Sequence, residues 1–500
     1  MIGKEVAERQ MVGLSAQMRL ADFWQIPPPS RPEILFQAIQ ASHAWHFTHN
    51  PAYHDALAAR KVGAEINPQD LPRLLRPTSQ TFKSYIDILG TPFPQDQPRR
   101  FMAWLLDHLS IPPIGDRAPA ERMEQRIQQL RERYPSLEAL LQDIERIYAD
   151  LGIEIITSSG TSGRSTILAR DQQAIERTVE SFYLSFQRYF GMQLDHRAIF
   201  IMPRQTRIAM ARMVGFSLRQ VGIPPENTFF TIPFPAYPDQ VRIRSGRAYR
   251  SGWQGWLERR ALNPFMNWMN EHIVSPQAIR QAVDLLLRAE ADGVKILLFA
   301  SWVHLHSVAL TLRRKKKVLQ LPPGSLLGTG GGFKEFYPYA PDQIRHDLAQ
   351  SVRTTDGQPA PVRDVYGMAE ANWAAMQCRA GNYHIPPWVY VAVLDADDRF
   401  QTTPDATGIL AFFDPLGGGD LIPAFYKTAD QARLINGSTA YDPALDCPCG
   451  EAGAYLANSQ SFIISNKSLI NSSLILSSMS ELRAFSFESS AIGIMSLSLK

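Results

Sequence analysis

The densest run of anion-ready groups in the chain is Ser158-Ser159-Gly160-Thr161-Ser162-Gly163-Arg164-Ser165-Thr166. Glycine lets a backbone turn sharply and present N–H groups to an anion with no Cβ in the way. The hydroxyls are further donors, and Arg164 adds a charge suited to phosphate. A Walker A loop has four residues between its glycines before a lysine; here two lie between Gly160 and Gly163, and Arg164 follows in place of a lysine. Taken alone, the run reads equally well as a Ser/Gly surface turn. Three more runs accompany it: Gly328-Thr329-Gly330-Gly331-Gly332-Phe333-Lys334, Arg363-Asp364-Val365-Tyr366-Gly367-Met368-Ala369-Glu370, and Phe425-Tyr426-Lys427-Thr428-Ala429-Asp430-Gln431-Ala432-Arg433-Leu434. The glycine run is not a dinucleotide fingerprint, because Phe333 stands at the last glycine position.

The elements that must position these runs change character along the chain. Residues 1–150 read mainly as helix, with apolar residues at three- and four-residue spacing over Ile34–Ala44 and Arg122–Leu151 and a proline-rich connection at Pro92–Arg100. From about 152, short β-branched or apolar runs alternate with turns and helical patterns. Ile153–Thr157, Ala198–Met202, Thr228–Ile232, Val294–Ala300 and Trp388–Leu394 predict strands, and Pro276–Asp292 predicts a helix between two of them. Such alternation predicts an α/β core with a largely parallel sheet. From Ser459 onward about a third of the residues are serine and no amphipathic period survives. A reading-frame change near residue 458 and a poorly ordered natural tail both account for that.

Composition bounds the function. The chain has 500 residues, 45% hydrophobic and 20% charged, which fits a globular protein of two or three units and excludes wholesale disorder. A net charge of +3 does not by itself point to nucleic acid or a membrane surface. Three cysteines exclude an extensive disulfide framework, so a reducing cytoplasm is expected. Charges occupy the first ten residues, where a signal peptide needs an apolar run, and the apolar stretch Ile296–Val303 is too short to span a bilayer. No G-x-S-x-G elbow supports a serine hydrolase.

The four runs, in this order and spacing, resemble the adenylate-forming superfamily: acyl-CoA synthetases, phenylacetate-CoA ligases and the acyl-protein synthetases of bacterial bioluminescence. The texture is most similar to the acyl-protein synthetase and phenylacetate-ligase branch, with Asn50-Pro51-Ala52-Tyr53 and Leu71-Pro72…Thr81-Phe82-Lys83 as weaker support. The resemblance covers roughly residues 35–457. It implies a large α/β N-terminal domain of stacked sheets and helices. The expected divisions are 1–150 for its helical part, 151–434 for the nucleotide- and acyl-binding core, and 435–458 for the start of a truncated or atypical small C-terminal domain. The tail is 459–500. It also implies ATP- and Mg²⁺-dependent activation of a carboxylic acid as its adenylate, followed by acyl transfer to a thiol of CoA or of a carrier or reductase protein.

On this resemblance Ser159, Gly160, Thr161, Ser162 and Gly163 hold the β/γ-phosphates, with Arg164 and Glu370 as the catalytic charges and Glu370 the Mg²⁺ ligand. Gly330, Gly331 and Gly332 admit the nucleotide closely. Tyr366, beside Gly367, stacks on adenine; Asp364 accepts from the adenine amino group; Asp430, near Arg433, accepts from the ribose hydroxyls. Each residue also has a plain reading: core aromatic, helix-start carboxylate, turn aspartate. Arg164, Ala369, Lys427 and Ala429 depart from the residues common in the family. The C-terminal lysine that normally stabilises charge on the reacting phosphate has no recognisable counterpart, and an adenylation-defective nucleotide-binding relative is the alternative reading. A plain interaction protein is a second.

Cys378, His384, Cys447 and Cys449 offer three thiolates and an imidazole, the donor set of a structural zinc site, though C-x-C is shorter than the usual knuckle. Some phenylacetate-ligase-like proteins show a similar arrangement. Metal-free cysteines, or one that accepts the acyl group, are the alternatives. His43, His46 and His49 recur every three residues, with His54 beyond, but no carboxylate or cysteine joins them, so partly exposed helix histidines are expected.

Overall fold

The computed structural model describes residues 19–111, 117–158, 165–221, 224–332 and 337–457. Its strands are β1 (Arg76–Pro77), β2 (Glu154–Thr157), β3 (Ile167–Arg170), β4 (Arg197–Pro203), β5 (Thr228–Ile232), β6 (Ile296–Ala300), β7 (Leu319–Leu321) and β8 (Leu326–Gly330). They continue with β9 (Val352–Thr354), β10 (Val362–Tyr366), β11 (Ala375–Gln377), β12 (Tyr383–His384), β13 (Tyr390–Leu394), β14 (Asp405–Phe413), β15 (Phe425–Ile435) and β16 (Tyr455–Leu456). The main sheet runs β13-β14-β15-β16-β12-β11-β10-β8-β6-β4-β5, with β1 also paired to β15.

The sheet has two halves with different causes. From β5 to β10 the strands are parallel, and helices such as Ser275–Asp292 and Trp302–Arg314 cross between them. Their residues alternate between two cores. Ile199, Leu298 and Leu327 face the one that contains Ala282, Val283 and Leu286; Phe200, Leu297 and Phe299 face the one that contains Phe190 and Met376. β6 is buried on both faces, so it reads as an unbroken apolar run. Beyond β10 successive strands along the sheet from β11 to β13 are antiparallel, while β1 joins β15 in parallel. The expectation of a largely parallel sheet is therefore corrected. No helix pattern separates residues 375–457, and strands joined by short connections can only return antiparallel.

The N-terminal helices pack on this antiparallel half, forming one core that contains Leu35, Tyr53, Phe101, Leu140, Phe412 and Phe425. The apolar stretch read over Arg122–Leu151 is two helices, Arg117–Gln128 and Leu137–Ile147. The second restarts because the Ser136 Oγ accepts from the Ala139 N–H at 3.1 Å. Residues 435–457 return to the sheet, where β16 lies between β15 and β12.

Candidate functional site

In sheets with parallel strands, ligands usually bind beyond the carboxyl ends of the strands. Register aligns Ala300 with Thr329 and Gly330 with Val365, so the ends of β6, β8 and β10 share one rim. Gly328 is required by packing, since a Cβ there would lie 2.6 Å from Phe299 Cδ2. Gly331 and Gly332 have φ of +82° and +71°, a left-handed turn that favours glycine. At Gly330 the protein itself leaves room: a Cβ would meet Phe299 Cζ only at 3.4 Å and Val365 O at 3.5 Å.

Separate stretches of chain meet around this rim. The Tyr366 hydroxyl donates to Asp430 Oδ2 at 2.7 Å, joining β10 to β15. The Thr166 hydroxyl donates to Glu370 Oε1 at 2.9 Å, and Arg170 Nη2 donates to the Ala369 carbonyl at 3.1 Å. The β2–β3 hairpin therefore brings both ends of the Ser/Gly loop to the Tyr366–Glu370 segment: Ser158 N–H donates to Thr166 O at 3.0 Å. Ser159, Gly160, Thr161, Ser162, Gly163 and Arg164 themselves lie outside the described residues.

Asp364 lies on β10, two residues before Tyr366. Its Oδ2 accepts from the Tyr383 hydroxyl and its Oδ1 from the Val365 N–H, both at 2.9 Å. Burial lifts its carboxyl to about 6 against the pull of these donors. His304, just past the end of β6, is held neutral near a pKa of about 4 by burial and then by the Arg244 charge. Gly367 directly follows β10. Arg433 is not brought to this group: its guanidinium forms a two-bonded pair with Asp405 at 2.8 and 2.6 Å, and it points from the opposite strand face to Asp430.

The cysteines and His384 do come together. One donor atom from each of Cys378, His384, Cys447 and Cys449 lies within 4.8 Å of the others, with Cys378 Sγ 3.8 Å from Cys447 Sγ and Cys449 Sγ 3.3 Å from His384 Nε2. Tetrahedral zinc with Zn–S near 2.3 Å has ligand edges of about 3.8 Å, so both the spacing and the donor chemistry fit. Two tight turns shape the cluster, with Gly381 N–H donating to Cys378 O and Gly450 N–H to Cys447 O. Both glycines have positive φ. His43 and His46 are corrected: both are buried. His43 bonds Tyr53 Oη and Gly63 O, and His46 bonds Ser110 Oγ.

Thr166, Arg170 and Tyr383 were not assigned from sequence. Thr166 stood inside the hydroxyl loop and Tyr383 beside His384, but nothing in their types marked a partner two hundred or twenty residues away.

Residues 266–455 match the family model described as acyl-protein synthetase, LuxE. Over that segment the chain is similar to this acyl-protein synthetase family. Its fold is similar to that of a 2-hydroxyisobutyryl-CoA ligase solved in an open conformation with 2-HIB-AMP and CoA, at a TM-score of 0.50 and 11% identity over 87% of this chain and 75% of that one. The same ligase in its thioesterification state gives a TM-score of 0.50 and 12% identity over 87% and 69%. No curated protein sequence matches the chain. Among the described residues, no helix is long and apolar enough to cross a membrane.

Proposed function

We propose that the protein is an acid–thiol ligase: it activates a carboxylic acid with ATP and passes the acyl group to a thiol, of CoA or of a protein cysteine. In the first half-reaction the carboxylate oxygen attacks the α-phosphorus of ATP and the bond to pyrophosphate breaks. In the second, a thiolate attacks the acyl carbon, the acyl–O–P linkage breaks, and AMP leaves with the thioester formed. The observation that carries this reading is the meeting of Tyr366 with Asp430 and of Thr166 with Glu370 at one sheet edge. The acyl-protein synthetase match and the 2-HIB-AMP- and CoA-bound state of the 2-hydroxyisobutyryl-CoA ligase support it.

The chain's own groups fit the parts required. Glu370 is an oxygen ligand of the kind Mg²⁺ prefers, and Thr166 fixes its rotamer. Magnesium held there supplies neutralisation of phosphate charge. Asp430, oriented by Tyr366, keeps lone pairs for the ribose hydroxyls, and the Tyr366 ring offers a face to adenine. Asp364 accepts the adenine amino group beside Tyr383, and Gly330 leaves space for the nucleotide. Ser159–Gly163 and Arg164 cradle the β/γ-phosphates. The Cys378, His384, Cys447 and Cys449 cluster holds a structural zinc that braces β11 and β12, and with them Tyr383.

A second reading, nucleotide binding with little turnover, is favoured by one fact: Ala369 stands before Glu370, where a hydroxyl residue common in the resembled family could touch the α-phosphate. The test is transfer of radiolabelled acids to CoA and to protein thiols with ATP and Mg²⁺, scored as hydroxylamine-labile product. Acid-dependent thioester, lowered roughly a hundredfold or more by Glu370→Gln, is expected. ATP binding without thioester or AMP supports the second reading, and absence of ATP binding refutes both.

A further inference from the structure

The helical rod that leads into Ser275–Asp292 carries a feature the adenylation reading does not use. It runs through Gly252–Leu257, a π turn at Glu258–Leu262, Asn263–Met269 and a second π turn at Asn270–Val274. Trp253, Trp256, Leu262, Phe265, Trp268 and Ile273 on it are between 37% and 72% exposed. On an uninterrupted α-helix, at about 100° per residue, these six would scatter around most of the circumference. Each π turn inserts about one extra residue and sets the following side chains back by about 100°. The first setback gathers Trp253, Trp256, Phe265 and Trp268 into one stripe about 80° wide. The irregular turn thus builds an apolar face whose four rings are between 50% and 72% exposed.

The charge around that face has one sign. Residues 242–274 hold Arg242, Arg244, Arg247, Arg250, Arg259 and Arg260 against Glu258 and Glu271. Glu258 is neutralised within the fold by Arg242 at 2.6 Å and by the Arg250 N–H at 2.9 Å. Exposed Arg247, Arg259 and Arg260 therefore flank a tryptophan-rich stripe with Glu271 as the lone opposing acid. Tryptophan and phenylalanine on one side with arginine beside them is the composition of a helix lying in a lipid interface, where rings sit at headgroup level and arginines meet anionic phosphates. The rod is also anchored in a fixed orientation: Asn263 Nδ2 donates to Ile243 O at 2.6 Å, and Asn267 Nδ2 donates to Arg244 O at 3.4 Å.

We propose that the 252–274 face docks the protein peripherally on an anionic phospholipid bilayer. This inference stands on the surface and is independent of whether the chain adenylates an acid. The experiment uses the full-length protein with sedimenting vesicles of phosphatidylcholine alone or mixed equally with phosphatidylglycerol. Binding to the mixed vesicles is expected. It should fall by roughly tenfold or more in Trp253→Ser/Trp256→Ser/Trp268→Ser and by a similar factor in Arg259→Gln/Arg260→Gln, whose circular dichroism and thermal midpoint serve as folding controls. Brominated lipid should quench tryptophan emission in the wild type and not in the triple variant. Absence of vesicle binding, or equal binding by the folded variants, overturns the proposal. Two other results would also contradict it. Lipid-free self-association abolished by the triple variant assigns the face to a second copy. Tryptophans shielded from an aqueous quencher in a monomer assign it to another segment of the chain.

Discussion

Asp364 is pulled two ways, by burial toward the neutral acid and by the Tyr383 hydroxyl and Val365 N–H toward the carboxylate, and burial prevails at about 6. A carboxyl raised from its ordinary 3.8 binds its proton more tightly in the folded state. Its contribution therefore favours folding fully below about pH 4 and is lost as the pH climbs through 6. At about 1.4 kcal/mol per unit the loss is roughly 3 kcal/mol. Asp414, buried and raised to about 6, adds in the same direction. Denaturant titrations from pH 4 to 7 should show Asp364→Asn with a visibly flatter decline than the wild type; an unchanged slope would remove Asp364 as a cause. The glycines separate by a second comparison. Gly328→Ala must displace Phe299 and should cost about 1–3 kcal/mol of stability. Gly330→Ala should leave the melting midpoint nearly unchanged while weakening ATP binding in calorimetry. Equal ATP affinity in Gly330→Ala would mean that no nucleotide approaches there. Sequence showed glycine at both positions and could not distinguish them, because the reason at 328 is a ring on a neighbouring strand.

At the scale of elements, the parallel strands were legible because each is a short apolar run: β5 spans Thr228–Ile232 as read, and β6 lies inside Val294–Ala300. In the antiparallel half β13 lies inside Trp388–Leu394 as read, but the shortest strands were not legible. β12 and β16 are two residues each, too short for any period, and they exist because His384 and Tyr455 pair across them. The cysteine cluster closes the same corner: Asn382 Nδ2 donates to Cys447 Sγ at 3.3 Å, next to the Tyr383 that reaches Asp364. Purified protein should carry about one zinc per chain by mass spectrometry. Cys378→Ser or Cys447→Ser should lose the metal, lower the thermal midpoint by several degrees and weaken ATP binding through Tyr383. Full stability with no metal would leave the cysteines as ordinary core residues.

Over the whole molecule, the N- and C-terminal parts hold one another. Trp45 Nε1 donates to Asp420 O at 2.8 Å, β1 pairs with β15, and Tyr53 packs edge-on to Phe425 at 6.4 Å between centroids. The strand bearing Asp430 is thereby set by helices nearly four hundred residues earlier, which explains why the motifs were readable one by one and their meeting was not. His43 and His46 on Arg31–His49 were expected to be partly exposed for the same reason: their partners, Tyr53, Gly63 and Ser110, are brought in only by the fold.

All of this converges on one reaction coordinate, acid-dependent exchange of labelled pyrophosphate into ATP in the presence of Mg²⁺. Exchange stimulated by a carboxylic acid, and reduced by roughly a hundredfold or more in both Glu370→Gln and Asp430→Asn, is the predicted result. Exchange that is acid-dependent yet indifferent to both substitutions would contradict the site built here, and none with any acid would contradict the activity.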